Sequence, residues 1–221
     1  WRLFANQSGI TVRVGKPMDV FGNPVDENGR SMGPNGTVID PKQWLSSGGQ
    51  LRAEPNRDRE YVRQLGKGIV SSYYSENTVL SSHVVAFAYF LALRRKYSDL
   101  DLYRFLRLSL QQRSISHAEF MQECERLVEK LKSMSADGKL HLCSELGVMG
   151  LEKWLMEGVR QLGLLHDHEV VVIRDGIVWT EDMNLLYYYR NRLSGYGLSL
   201  RGETGRVKLL RGELDEQGFL A

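Results

Sequence analysis

Five histidines are the side chains of this 221-residue sequence best suited to proton transfer, and their spacing decides what they can do. A histidine that works as a general base is oriented by a carboxylate, which fixes the tautomer and stabilises the imidazolium formed when the base takes its proton. An aspartate five positions later would supply that partner. His83 is followed there by Ala88, His117 by Gln122, His141 by Leu146, His166 by Val171 and His168 by Ile173, so no such pair exists. Neither Ser-x-x-Lys nor Gly-x-Ser-x-Gly occurs, which leaves a serine nucleophile without support. No catalytic residue is assigned.

Metal chemistry is equally thin. His166 and His168 could share one face of a strand, but no third ligand lies nearby, and a solvated turn is the simpler reading. Cys124 and Cys143 make no CxxC pair and fit a reducing, cytosolic setting. Asp26, Asn28 and Gly29 suggest a calcium loop, yet its first ligand position falls on Pro24 and its twelfth on Asn35. No metal and no cofactor is expected. His83, at the start of an apolar helix, reads as a core histidine bonded to a neighbouring carbonyl rather than as a proton shuttle.

Twenty-nine Lys and Arg against 27 Asp and Glu give a net charge of +2, too balanced to mark a nucleic-acid binder. The longest apolar run, Val84 to Leu93, is shorter than the roughly 20 residues of a membrane span and predicts a buried helix of a soluble fold. The first residue is Trp1 rather than Met, from which an upstream segment is expected.

The pattern predicts an α+β chain, mainly α. Ile10 to Val14 alternate as an edge strand, so residues 1–20 read as the end of an α/β domain. Residues 21–55 are a turn-rich, irregular loop. Residues 56–113 form a helical section: a helix capped by Asn56 and interrupted or closely approached at Gly66 and Gly68, a second over Val79 to Tyr97 and a third from Asp99, packed together. Residues 114–196 run helix, strand, helix, hairpin and last helix. Ser116 and Glu119 form a capping box before Phe120, Cys124, Leu127, Val128 and Leu131; Lys139 to Cys143 is a short strand; Leu151, Trp154, Leu155 and Leu162 mark a helix that Gly163 ends. Val170 to Ile173 and Ile177 to Trp179 flank an Asp175-Gly176 turn, and Asp182 caps a helix through Leu193. That order is winged-helix-like. Residues 197–221, where Leu200-Arg201-Gly202-Glu203 is echoed by Leu210-Arg211-Gly212-Glu213, are expected to be mobile.

Several stretches carry a resemblance: Val12-Arg13-Val14-Gly15-Lys16-Pro17-Met18-Asp19-Val20, Phe21-Gly22-Asn23-Pro24-Val25-Asp26, Asp58-Arg59-Glu60-Tyr61, the helix after Glu76-Asn77, and Leu186-Tyr187-Tyr188-Tyr189-Arg190-Asn191. Together they resemble the C-terminal portion of glycerol-3-phosphate and 1-acyl-glycerol-3-phosphate (lysophosphatidate) acyltransferases, in the large bacterial form of the Bacteroidetes type. The likeness covers about Ile10 to Leu198 and includes none of that family's catalytic motifs. It implies a parent protein of phospholipid biosynthesis that transfers an acyl group from acyl-CoA or acyl-carrier protein. That protein would be cytoplasmic and peripheral at the inner membrane, with a catalytic domain carrying H-x-x-x-x-D upstream. The terminal strand would close the acyltransferase α/β domain. A stand-alone scaffold or regulatory winged-helix protein without that activity is the alternative.

Two groups are candidate contacts. Between Arg94 and Arg113 six basic residues face two acidic ones, and Arg104 and Arg107, three apart on one helix, could meet phosphates of an anionic membrane or acyl carrier beside Tyr103, Leu106 and Leu110. A solvated helix face is the bland reading of the same residues. Tyr188, Tyr189, Arg190 and Asn191 could form a docking edge, or pack against the body of the protein. Nucleic acid is not an expected partner, because Lys153 and Arg160 are balanced by Glu152 and Glu157 on the helix that would read DNA.

Overall fold

In the computed structural model, residues 11–164 and 166–198 are described. The chain is α+β and mainly helical, with small sheets. It divides into two compact units at Glu76 and Asn77. The expected strand at Ile10 to Val14 is absent over residues 11–14, where Val12 and Val14 are exposed and no ladder partner stands beside them.

The unit of residues 13–76 corrects the expectation of an irregular loop. It opens with three coils of seven residues, closed by the bridges Met18↔Pro24, Val25↔Ser31 and Met32↔Val38. The amides of Val25, Met32 and Ile39 donate to the carbonyls of Pro17, Pro24 and Ser31 at 3.3, 2.8 and 2.9 Å, so each coil hangs on the one before. Gly22, Gly29 and Gly36 occupy equivalent corners at φ +85°, +76° and +72°, which a side chain would strain. Asp19 accepts from the amides of Phe21 and Asn23 at 2.8 and 2.9 Å, and Asp26 does the same for Asn28 and Arg30 at 3.0 and 2.8 Å.

After helix α1 (Pro41–Trp44) and the hairpin β1 (Ser46–Ser47) and β2 (Gln50–Leu51), helix α2 runs unbroken over Pro55–Ser75. Its start is Pro55 rather than Asn56, because proline's fixed φ suits the first turn. Tyr61 meets Phe21 and Trp44 at ring distances of 4.8 and 6.0 Å. A side chain at Gly68 would touch Met18 and Gly22, which accounts for that glycine. Helix α2 therefore belongs with the coils rather than with the helices that follow.

The unit of residues 77–198 is built around α3 (Ser81–Lys96), in which twelve residues from Ser81 to Leu93 are buried. Strand β3 (Thr78–Val79) precedes it and pairs in parallel with β5 (His141–Leu142). The expected helix from Asp99 is only one turn, α4 (Leu102–Phe105), because Ser109 and Gln112 cap a separate 3-10 turn, Leu110–Arg113. Strand β4 (Ile115–Ser116) leads into α5 (His117–Ala136), where the Ser116 hydroxyl accepts from the Glu119 amide at 3.1 Å and Phe120, Cys124, Leu127, Val128 and Leu131 are buried. Next come α6 (Glu145–Met149), α7 (Leu151–Gly163), the hairpin β6 (Val172–Arg174) and β7 (Ile177–Trp179), and α8 (Met183–Arg190) with a final 3-10 turn, Asn191–Leu193. Asp175 and Gly176 both take positive φ, and the three-stranded sheet runs β4-β7-β6. The mobile tail expected beyond residue 197 falls almost wholly outside the described residues, as does the Leu200 and Leu210 echo. Among the described residues, no helix is long and apolar enough to cross a membrane.

The closest crossing in this unit is backbone on backbone. A Cβ at Gly158 of α7 would lie 2.6 Å from the Ser81 carbonyl carbon and 2.8 Å from its oxygen, atoms that have no rotamer to give way. Alanine gains about 1 kcal/mol of helix propensity but incurs about 1–3 kcal/mol of overpacking. Gly158→Ala should therefore lower unfolding stability by roughly 1 kcal/mol or more in urea titrations, whereas a propensity-dominated site would be stabilised.

Candidate functional site

Charged and aromatic side chains converge on Phe90 of α3. Its ring meets Phe105 of α4 edge-on at 5.1 Å and Tyr187 of α8 at 5.6 Å. The Arg190 guanidinium lies over Phe90 and Tyr187 at 4.7 and 4.8 Å, and the Arg94 guanidinium stands over Phe105 at 5.1 Å. Such stacks attract a cation to the negative face of the ring, more strongly where water is excluded. Arg94 also donates to the carbonyls of Leu100 and Tyr97 at 2.6 and 3.2 Å, tying the end of α3 to the turn that carries α4.

This anchor holds the first candidate group in place. Arg104 is on α4 and exposed, with Asp101 as a surface partner at 3.4 Å. Arg107 lies past the helix end rather than on one helix with Arg104, and its guanidinium rests on the Tyr103 ring at 4.0 Å. Tyr103 and Leu110 are 63% and 62% exposed, while Phe105 and Leu108 between them are buried. The turn thus presents two cations, an aromatic and an aliphatic side chain from a fixed base.

The second group divides. Arg190 is buried on Phe90 and donates to the Ser194 hydroxyl at 2.8 Å, so it packs inward. Tyr189 stands 2.6 Å from His166 Nε2, and burial pushes its phenol up. Tyr188 and Asn191 remain exposed. With His166 engaged by Tyr189, the metal reading of His166 and His168 gains nothing, and among the described residues no group of three or more His, Cys, Asp or Glu is placed to hold a metal. On α7, Arg160 pairs with Glu157 at 2.5 Å, so that helix face offers little free charge to a phosphate backbone.

Phe90, Phe105 and Arg94 were not singled out by sequence reasoning. Their signal was available only as spacing: Phe90 and Arg94 are four apart on α3 and therefore share a face. Burial likewise pushes the Cys124 thiol up, as it does the Tyr89 phenol, whose hydroxyl donates to the Arg113 carbonyl. Both groups are inert as acids near neutral pH.

No family model, curated protein or solved structure matches the chain.

His83 differs from expectation in its partner. Its Nδ1 accepts from the Leu80 amide at 3.3 Å rather than bonding a carbonyl. Burial, and then the charge of Arg192, push its pKa down to about 4 from an ordinary 6.5. Between these values the unfolded chain binds the extra proton and the folded chain does not, so stability falls as pH drops from 6.5 toward 4 and the loss saturates below. The loss is about 3 kcal/mol. Urea titrations of the protein and of His83→Gln across this window should show that much difference in pH dependence; parallel curves would contradict a neutral buried imidazole.

Proposed function

We propose that this chain is a non-catalytic portion of a glycerol-phosphate O-acyltransferase of phospholipid biosynthesis and serves to dock its catalytic domain at an anionic membrane surface. The observation that carries the docking role is the 103–110 turn, with Arg104 and Arg107 outward beside exposed Tyr103 and Leu110 and its base held by Phe90 and Arg94. The acyltransferase assignment rests on the resemblance of residues 12–26, 58–61 and 186–191 to that family. In this reading the partners are the catalytic domain of the same parent protein, acyl-CoA or acyl-carrier protein as donor, and the inner membrane. The β4-β7-β6 sheet with α5 and α7 resembles a winged-helix unit, which would serve here for protein contact.

The chain by itself should not transfer a labelled acyl group to glycerol 3-phosphate or lysophosphatidate. Turnover that depends on any of the five histidines would overturn the non-catalytic assignment. Coding sequence upstream of Trp1 gives the complementary test: an in-frame H-x-x-x-x-D supports the enzyme, and a stop codon followed by a start favours a separate scaffold.

Docking has its own measurement. Each basic residue near an anionic surface contributes about 1 kcal/mol, so replacing Arg104 and Arg107 with Gln should weaken binding to anionic vesicles by about tenfold or more at low salt. Salt should erase much of the difference. Equal recovery of both proteins in low-salt flotation would return these arginines to an ordinary solvated surface.

A further inference from the structure

Helix α2 has no buried residue along its 21 positions, and one of its faces is apolar and open. Val62, Gly66, Ile69 and Tyr73 follow one another in steps of four, three and four, the spacing of a continuous stripe along a helix. Val62, Ile69 and Tyr73 are 64%, 52% and 65% exposed. Gly66 in their midst is unexplained by its own chain: a Cβ there would meet nothing within 4 Å, although glycine in a helix interior costs about 1 kcal/mol relative to alanine. Gly68, by contrast, is accounted for by Met18 and Gly22. A glycine that leaves open space within an apolar stripe is suited to the close approach of another helix.

The stripe carries the marks of self-recognition. A two-fold axis between positions 67 and 68 sets two antiparallel copies so that Ile69 of each faces Gly66 of the other and Tyr73 faces Val62. Every layer then matches a larger side chain to a smaller one. The next layer out places the Arg59 cation of one copy opposite the Glu76 carboxylate of the other. A parallel pairing would set Tyr73 against Tyr73, leave a void between two copies of Gly66 and align like charges at both ends. An isologous interface must satisfy this kind of two-fold matching of size and charge, and here one register satisfies all of it.

We propose that the α2 stripe is a homodimerisation surface, paired antiparallel with the same stripe of a second copy. From Arg59 to Glu76 the contact runs along about 26 Å of helix. That length gives less area than the ~1,200 Å² of a standard stable interface, so the dimer forms reversibly and at high protein concentration.

Paired cysteines test both the contact and its direction in the 221-residue chain. In a Cys143→Ser background, Val62→Cys and Tyr73→Cys proteins should form a disulfide-linked dimer under mild oxidation when mixed, and far less of it when each is alone. Both positions are exposed, so neither change disturbs the fold. Ile69→Arg would bury two unpaired charges and should weaken self-association by about tenfold or more in sedimentation equilibrium. Gly66→Leu should do likewise while leaving α2 folded. A chain that stays monomeric throughout the micromolar range overturns the proposal and leaves the stripe for a different protein. Linkage of Val62→Cys to itself as readily as to Tyr73→Cys would replace it with a parallel pair. Dimers indifferent to Ile69→Arg and Gly66→Leu would place the interface elsewhere and also overturn it.

Discussion

Burial of α3 is the constraint on which the unit of residues 77–198 depends. From Ser81 to Leu93 nearly every side chain is shut away from water, so this helix has no polar face on which to rest and must be enclosed on all sides. Helices α5, α7 and α8 supply the enclosure. Gly158 allows α7 to come within backbone distance of Ser81, and Phe90 gives α8 and α4 a common ring to stack against. The cost of leaving such a helix exposed is what holds short, weakly regular pieces such as α4 and the 3-10 turns in position.

That enclosure also explains how an exposed turn can be definite in shape. Residues 102–110 contain one helical turn and little hydrogen bonding of their own, yet Phe105 and Leu108 are buried and Arg94 is bonded to the carbonyls leading into the turn. Exposed Arg104 and Arg107 thus stand on a base fixed from below, and little ordering is left to be done on contact. The same logic separates the tyrosines at the chain's last helix: Tyr187 and Arg190 belong to the stack on Phe90, Tyr189 to His166, and Tyr188 to solvent.

Patterns with a period of 2 or 3.6 were legible from the residues alone. Helix α5 with its Ser116 cap, α7 with Trp154, the Asp175-Gly176 hairpin and the Asp182 cap all follow from local chemistry that tertiary contacts reinforce. The strand at residues 10–14 did not form because alternation is only half of what a strand needs; a ladder partner is the other half. The helix from Asp99 stopped after one turn because Ser109 and Gln112 bond each other and begin a new turn. In the candidate site, the arginines and tyrosines were legible as residue types, but which of them faced inward was not, since Arg190 and Tyr188 differ only by their angle around α8. The aromatic anchor under Arg104 joins residues distant in sequence, a relation that local spacing does not encode.

The three coils of residues 18–38 were missed because their period of seven is written in Asp and Gly rather than in apolar residues. Each coil is closed by its own corner glycine and bonded only to its neighbours, so the set behaves as a modular stack. Evolution can lengthen or shorten such a segment only by whole modules. A duplication or loss of seven residues leaves every remaining corner in phase, whereas an insertion of any other length puts a side chain where the left-handed corner admits glycine. Length differences among homologues in this region should therefore be quantised in sevens, a molecular ruler spacing the first coil from α1.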